Sequence, residues 1–207
     1  MYVPEHFRET RIEVLAAFMA RHPLATLVAA TPQGLRADHL PLLTRLTDAG
    51  SGTLRGHVAR GNSLWRELEV DAPVLAVFTG ADSYVSPNWY AAKREHGKVV
   101  PTWNYATVHV RGRIRFIQDA GWLRELVASL TDTFEAASPQ PWRVSDAPED
   151  YVAGMLRAIV GLEITVTEVV GKFKGSQNRS LEDRAGVEAA LRGAGRGDAE
   201  LGELVPR

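Results

Sequence analysis

The stretch YATVHVRGRIRFI, residues 105–117, carries the clearest structural pattern of the chain. Apolar and polar side chains alternate along it, with Ala106, Val108 and Val110 on one side and His109 and Arg111 on the other. Successive side chains of a β-strand point to opposite faces of its sheet. The stretch is therefore predicted to be a strand with one face on a core and the other toward solvent or a ligand.

Further stretches have the length and apolar content of strands, and short turns join most of them. Apolar residues at helical spacing predict helices that flank these strands. Because strands and helices do not alternate as βαβ units, the sequence favours a mainly β, antiparallel barrel over a parallel sheet. The other predicted strands are residues 24–30, 35–43, 53–59, 73–80 and 160–175, and the predicted helices are residues 5–21, 62–70, 121–135, 148–159 and the segment after Ser180.

The composition bounds the organisation of the chain and excludes several kinds of chemistry. Of the 207 residues, 45% are apolar and 24% are charged, which favours one globular domain, predicted to span residues 1–194. The Gly- and charge-rich residues 195–207 are predicted to form a flexible tail. The absence of cysteine excludes disulfides, thiolate catalysis and Cys-ligated metals.

The charge balance and the N-terminus indicate the surroundings in which the chain works. The 24 Lys and Arg residues against 25 Asp and Glu residues give a formal net charge of -1, so no global basic field is available to hold nucleic acid. The charged first residues lack the apolar run of a signal peptide. No stretch approaches the roughly 18 apolar residues that span a membrane. We therefore expect a cytoplasmic protein that does not insert into membranes.

The segment GHVARGNSLW, residues 56–65, joins a predicted strand to a predicted helix. Backbone N–H groups at such a junction favour an anion, and Arg60 could bind a phosphate through two parallel hydrogen bonds. Asn62 is a candidate helix cap. An ordinary strand-to-helix connection with a surface arginine remains an alternative interpretation.

The segment GKFKGSQNRS, residues 171–180, places several polar side chains at the end of the last predicted strand. Lys174, Ser176 and Gln177 belong to this group, which could clamp a phosphate or a polyhydroxyl chain. A solvated basic turn is the alternative.

The segment VPTWNYATVH, residues 100–109, places Trp103 and Tyr105 on either side of Asn104. Aromatic faces beside a polar amide are suited to stacking on a planar heterocycle. The alternative is a set of aromatic residues that belong to the core or to a dimer interface.

The segment ADHLPLL, residues 37–43, places Asp38 and His39 in an otherwise apolar predicted strand. Pro41 removes a backbone donor, so the strand is predicted to lie at an edge or to carry a bulge there. Neighbouring backbone groups could then meet a ligand. An edge histidine with a purely structural role is the alternative for His39.

Other catalytic and metal-binding patterns are missing from the sequence. The six histidines show neither HxxxH nor HExxH spacing, so no metal site is predicted. No nucleophile elbow, Walker A loop, GxGxxG loop or helix-turn-helix is present.

Taken together, the segments resemble the PaiB-like family, described as FMN-binding negative transcriptional regulators. The blocks MYVPEHF, DHLPL, GHVARGNSLW, FTGADSYVSPNWY, VPTWNYATVHVRG and GKFKGSQNR occur in this order between about residues 1 and 192. The family's tyrosine block more often reads YISPSWY, whereas residues 84–90 read YVSPNWY here. Val85 is a conservative difference, and Asn88 puts little of the resemblance in doubt.

The resemblance implies an FMN-binding split β-barrel, antiparallel and Greek-key-like, similar to pyridoxamine-phosphate oxidase-like flavoproteins. Proteins of that type are homodimers with two FMN sites at the subunit interface. By this likeness, the DHLPL strand would pass along the isoalloxazine, GHVARGN would meet the ribityl phosphate, and the WNY and KFKGSQN segments would close the site. The predicted FMN-binding residues are Asp38, His39, Leu40, Pro41, His57, Val58, Ala59, Arg60, Asn62, Trp65, Trp103, Asn104, Tyr105, Lys174, Ser176 and Gln177.

Three functions follow from these interpretations. The first is a flavin-binding negative transcriptional regulator, although only the family name, and not the sequence, supports DNA as a partner. The second is an FMN-dependent oxidoreductase that uses a nicotinamide or another electron donor, with Asp38, His39, His57 and Tyr105 as candidates for proton transfer. The third is a tetrapyrrole binder with His57 or His39 as the axial ligand.

Overall fold

The computed structural model describes residues 1–194, and the predicted tail, residues 195–207, lies outside this part. The strands are Arg8–Glu9 (β1), Leu24–Thr31 (β2), Gly34–Pro41 (β3), Leu43–Leu46 (β4), Gly52–Ala59 (β5), Ala72–Val85 (β6), Thr102–Ile117 (β7) and Ile159–Lys174 (β8). The α-helices are Ile12–Arg21 (α1), Leu64–Glu67 (α2), Ala92–Glu95 (α3), Ala120–Glu135 (α4), Glu149–Arg157 (α5) and Leu181–Ala194 (α6), and short 3-10 helices cover Glu5–Phe7, Pro87–Trp89 and Val144–Asp146.

The strands form one antiparallel sheet that closes on itself. Its order is β3-β2-β6-β7-β8-β5-β4, with β1 added to β8. The two strands at the ends of this order, β3 and β4, are consecutive in the chain and are separated only by Leu42, so the chain itself joins the two edges. At this junction a Cβ on Gly56 of β5 would lie 2.8 Å from the carbonyl oxygen of Pro41, so only glycine permits the approach. The predicted antiparallel barrel is confirmed.

The strand predicted from residues 105–117 lies at the centre of the sheet, between β6 and β8. Val108, Val110 and Ile114 are fully buried in the barrel, whereas Arg111 and Arg113 are exposed. A bulge interrupts the pairing of β7 with β8 beside Arg111. The extra residue is on β8, and the alternation along β7 therefore continues without a break.

The predicted helix over residues 5–21 is wrong over residues 5–11. Helix α1 begins only at Ile12, and Arg8 and Glu9 instead pair with Lys172 and Gly171 of β8. The Glu9 carboxylate accepts hydrogen bonds from the backbone N–H groups of Thr10 and Arg11, at 3.0 and 2.9 Å. These local bonds favour a turn over a helix at this point.

The connection between β6 and β7 is shorter than the gap between the predicted strands 73–80 and 105–117. Strand β6 continues to Val85 and β7 starts at Thr102, so the connection covers only residues 86–101. Helix α6 packs against this connection through Val85, Tyr90, Val187 and Leu191.

Helices α4 and α5 form a separate layer outside the barrel. Leu123, Val152 and Leu156 make its apolar centre. A Cβ on Gly161 of β8 would lie 2.3 Å from the Trp122 ring, so α4 lies directly on that strand. Among residues 1–194, no helix is long and apolar enough to cross a membrane.

Candidate functional site

The structure distributes the predicted site residues over three places. One group lies where β3 meets α2, a second lies where β7 begins and β8 ends, and a third faces the α4–α5 layer. We call the first the β3 cluster, defined as Arg36, Asp38, Asn62, Ser63 and Glu67. We call the second the β8 cluster, defined as Tyr105, Lys172, Lys174, Ser176 and Gln177.

The β3 cluster is a closed hydrogen-bond network around Arg36. Its guanidinium donates to Asp38 at 2.8 and 3.3 Å, to Asn62 Oδ1 at 2.8 Å and to Ser63 Oγ at 2.8 Å. It also forms an ion pair with Glu67 at 3.5 Å. The Asn62 amide donates to Asp38 at 2.8 Å, and Asn62 Oδ1 accepts the Leu64 N–H at 2.9 Å, although the N-cap position of α2 is Ser63 rather than the predicted Asn62.

Two predicted residues, Asp38 and Asn62, are therefore brought together, and the residue that joins them was missed. Arg36 lies two residues before Asp38 on the same face of β3, so the strand alternation could have drawn attention to it. Burial by itself raises the pKa of Asp38, but the hydrogen bonds from Arg36 and Asn62 outweigh it and hold the pKa below its usual value. The Asp38 carboxylate therefore stays ionised.

The other predicted residues of the ADHLPLL segment lie on both faces of β3. Leu40 is buried in the barrel core, whereas His39 points to the exposed outer face. Strand β3 pairs with β2 and ends at Pro41, as predicted for an edge strand.

The turn after β8 is held rigidly from within. Asn104 and Ser176 are buried and share hydrogen bonds of 3.1 and 3.2 Å between their side chains. Ser176 has a φ of 66°, in the left-handed region that costs energy for a residue with a side chain. Gln177 accepts the Gly175 N–H at 2.7 Å and donates to the Phe173 carbonyl at 2.5 Å. The backbone conformation at this turn is therefore fixed by Asn104, Ser176 and Gln177, which are all predicted site residues.

The cations of the β8 cluster have no acidic partner in the described part of the chain. The Lys174 ammonium donates to Thr102 Oγ1, and the Lys172 ammonium donates to the Tyr2 carbonyl at 3.2 Å and lies 5.3 Å from the centre of the Tyr105 ring. Burial lowers the pKa of Lys174, and the positive charges of Lys172 and Arg179 lower it further. An anion placed here would relieve that repulsion.

Aromatic rings lie on the outer face beside these cations. Trp103 is 52% exposed and Tyr84, its partner across β6 and β7, is 46% exposed, with ring centres 6.0 Å apart. Tyr105 follows Trp103 on the same face of β7. Exposed rings next to unpaired cations are suited to a flat heterocycle that carries a phosphate.

Residues of the GHVARGN segment lie on two sides of the barrel, with Arg60 at the end of α5 and Asn62 in the β3 cluster. Arg60 donates to the carbonyls of Arg157 and Ile159, at 2.6 and 3.0 Å, and to Gln118 Oε1 at 2.7 Å, so it holds the end of α5. Trp65 Nε1 donates to the Arg60 carbonyl at 3.1 Å. Of the remaining residues, Val58 is buried in the core and Ala59 is exposed at the end of β5.

His57 lies opposite Gly161 on the face covered by α4. Its Nδ1 is buried without a hydrogen-bond partner, and burial lowers the pKa of its imidazole. His57 is therefore neutral near pH 7 and belongs to the helical layer rather than to either cluster.

The β3 and β8 clusters lie on different sides of the barrel. Strands β2 and β6 separate β3 from β7, and in the other direction β5 pairs only with residues 159–166 of β8. The part of β8 that carries Lys172 pairs instead with β1. Within residues 1–194, no hydrogen bond, ion pair or ring contact joins the two clusters, and no group of three His, Asp or Glu side chains could hold a metal ion.

Comparison with known proteins gives consistent matches along the chain. A family sequence model described as "Putative FMN-binding domain" matches residues 1–168. "Protease synthase and sporulation protein PAI 2" of Bacillus subtilis is 32% identical over 187 residues, which cover 90% of this chain and 87% of that protein. An uncharacterized protein of Aspergillus fumigatus is 32% identical over 232 residues, with 90% and 89% coverage.

Solved structures share the fold. The FAD- and haem-binding protein from Mycobacterium smegmatis has a TM-score of 0.61 at 20% identity, with 86% of this chain and 79% of that chain covered. The flavocytochrome Anf3 from Azotobacter vinelandii has a TM-score of 0.61 at 15% identity, with 89% and 78% coverage. The predicted split-barrel fold is confirmed, and the family match confirms the predicted PaiB-like resemblance and the predicted cofactor, FMN.

Proposed function

The chain belongs to the FMN-binding domain family, and on that premise we propose that it is a homodimeric flavoprotein that holds FMN between the β3 cluster of one protomer and the β8 cluster of its partner. Bound FMN would supply redox chemistry. The chain would supply cations and aromatic rings from the β8 cluster and an edge strand from β3.

The observation that carries this proposal is the separation of the two clusters within one chain. A ligand that touched both in a monomer would have to pass around a packed barrel. In a two-fold dimer, any contact between residue i of one protomer and residue j of the other is repeated between j and i, so two unlike half-sites can meet twice. This arrangement would give two equivalent FMN sites.

An exposed apolar face gives the dimer a surface on which to form. Leu35 of β3 is 84% exposed and Leu24 of β2 is 64% exposed, and both lie on the outer face of the barrel. A groove of about 580 Å³ on the same face is lined partly by Val28, Pro73 and Leu75. Leu35 lines this groove, and exposed apolar surface of this kind marks interaction sites. His39 also lies on this outer face of β3, opposite the face that carries Arg36 and Asp38.

Mixing two defective variants tests whether the half-sites come from different protomers. Asn62→Ala damages the β3 cluster and Lys174→Ala damages the β8 cluster. A mixed dimer would then combine the intact β3 cluster of one protomer with the intact β8 cluster of the other and regain one FMN site. The measurement is FMN bound per protomer after co-refolding, with each variant alone as the control. If the mixture binds no more FMN than the separate variants, the shared site is wrong.

A negative regulatory role is part of the proposal, supported by the resemblance of the sequence blocks to the PaiB-like family. Two of the three arginines on the outer face of β7 are ion-paired, so the strand offers little free charge to DNA. Arg111 pairs with Glu168 at 3.1 Å, Arg115 pairs with the buried Glu163 at 2.5 Å, and Arg113 donates to the Asp71 carbonyl at 2.8 Å. We therefore expect no operator-selective, salt-resistant band in a gel-shift experiment with the purified protein. Such a band would overturn this expectation.

An FMN-dependent oxidoreductase is the second candidate, because His39 is exposed to solvent on the strand proposed to lie along the flavin. Of the other candidates for proton transfer, Asp38 is held as an anion by Arg36 and His57 is covered by α4. Anaerobic addition of a reduced nicotinamide nucleotide would bleach bound FMN if this function is correct. Unchanged flavin absorbance would argue against it.

A further inference from the structure

A second cavity, separate from both clusters, opens between α4 and α5. It has a volume of about 440 Å³, within the range of small-molecule sites. Its apolar floor includes Leu123 and Leu156, which are buried. The full lining is Arg60, Gln118, Ala120, Gly121, Leu123, Arg124, Ala153, Leu156 and Arg157.

The charged residues that line this cavity are all positive. Three of the lining residues are arginines and none is acidic, although the whole chain has a net charge of -1. Arg157 is exposed and has no acidic partner in the described part of the chain. Arg124 is bound to Glu149, so Arg157 and Arg60 provide the uncompensated charge.

The donors at the cavity are partly fixed in position. Arg60 uses three of its N–H groups on Gln118, Arg157 and Ile159, and a guanidinium has five, so two remain. Gln118 accepts from Arg60 through Oε1, which leaves its amide N–H groups free to donate. A ligand would therefore meet oriented donors at the rim and apolar side chains on the floor.

We propose that this cavity binds a small organic anion, a monocarboxylate with an apolar body. A carboxylate matches the planar donor geometry of arginine, and the apolar body would cover Leu123, Ala153 and Leu156. The site is distinct from the proposed FMN site, because the Arg60 guanidinium faces α5 whereas Asn62 belongs to the β3 cluster.

Titration of the FMN-saturated protein with octanoate, followed by calorimetry, tests the proposal. We expect saturable binding at one octanoate per protomer without release of FMN. Arg157→Gln should weaken binding about tenfold, the effect of losing one charge-assisted hydrogen bond. Ala153→Leu should abolish binding by filling the floor. Arg94→Gln, an exposed arginine on α3, is the matched control and should bind octanoate as the unmodified protein does.

Three results would overturn the proposal. The first is the absence of saturable octanoate binding. The second is release of FMN by octanoate, because the cavity would then be part of the flavin site. The third is unchanged octanoate affinity in Arg157→Gln, because Arg157 would then not bind the carboxylate. This conclusion holds whatever affinity Ala153→Leu shows. Since Arg157 is exposed, its variant is expected to fold and the test does not depend on Ala153→Leu.

Discussion

The β3 and β8 clusters both contain cationic side chains, but in the described part of the chain acidic partners neutralise the charge only in the β3 cluster. In the β3 cluster, Arg36 is surrounded by Asp38, Asn62, Ser63 and Glu67, and all of them are hydrogen-bonded or ion-paired to it. In the β8 cluster, Lys172 and Lys174 contact only neutral oxygens and aromatic rings within residues 1–194. A compensated cluster stabilises the fold by itself, whereas an uncompensated one is stabilised further by an anionic ligand. The difference predicts that removing Arg36 mainly lowers the stability of the fold, whereas removing Lys174 mainly lowers the affinity for FMN.

Arg36→Ala should have the largest effect, and the effect should be on stability. Its removal leaves two carboxylates, Asp38 and Glu67, without their partner in a half-buried network, which we expect to cost about 3 kcal/mol of unfolding free energy. Urea denaturation of the FMN-free protein measures this loss. The control is Arg94→Ala, which lies exposed on α3. A loss no greater than that of the control would mean that the β3 cluster does not stabilise the fold.

Lys174→Ala should reduce FMN affinity while the protein stays folded. Losing one charge-assisted contact to the phosphate should weaken binding by about 2 kcal/mol. Fluorescence titration with FMN measures the affinity, and riboflavin, which lacks the phosphate, should bind both proteins equally. Lys93→Ala serves as the control, because its ammonium contacts only Asn88. An equal loss of riboflavin affinity would show that Lys174 does not act through the phosphate.

Arg60→Ala tests two roles for Arg60. The sequence predicts that it binds the FMN phosphate, whereas the structure shows it bound to carbonyls at the end of α5. If the guanidinium met the phosphate, FMN binding would weaken by roughly 1.5–3 kcal/mol. Because Arg60 binds the carbonyls at the end of α5, we instead expect a stability loss of about 1 kcal/mol with FMN affinity unchanged. The same two titrations, with urea and with FMN, decide between these outcomes.

The pH dependence of FMN binding should show the smallest effect. Burial and the neighbouring cations lower the pKa of Lys174, so the group loses its proton at a lower pH than an ordinary lysine. The charged form binds the phosphate, so affinity should be complete below this pKa and should fall as pH rises through it. In Lys174→Arg the charge persists, because arginine keeps its proton at these pH values, and the alkaline loss should disappear. The same alkaline loss in Lys174→Arg would assign the titration to another group.

Much of the fold followed from local patterns. Alternation predicted β7 within three residues at its start, because one face of that strand is buried along its whole length. The start of α1 was predicted wrongly because the pairing of β1 with β8 is a contact between residues more than 160 positions apart. Helical spacing of apolar residues cannot reveal such a contact.

The sequence predicted which residues belong to the candidate site better than it predicted how they are arranged in space. Asp38 and Asn62 were both identified, but Arg36 was not, although it lies on the same face of β3 as Asp38. Arg60 was identified by its position at a strand-to-helix junction. The direction of its side chain is decided by where α5 ends, which no nearby residue indicates.

The sequence by itself determined the antiparallel barrel, the chain's family and the segments that carry polar and aromatic side chains, because these depend on local spacing and on motifs of a few residues. Only the tertiary structure decided which charges are compensated and which remain free. Charge compensation depends on distances of a few ångströms between strands that are far apart in the chain. That property separates Arg36, which holds the fold together, from Lys174, which is left available to an anion.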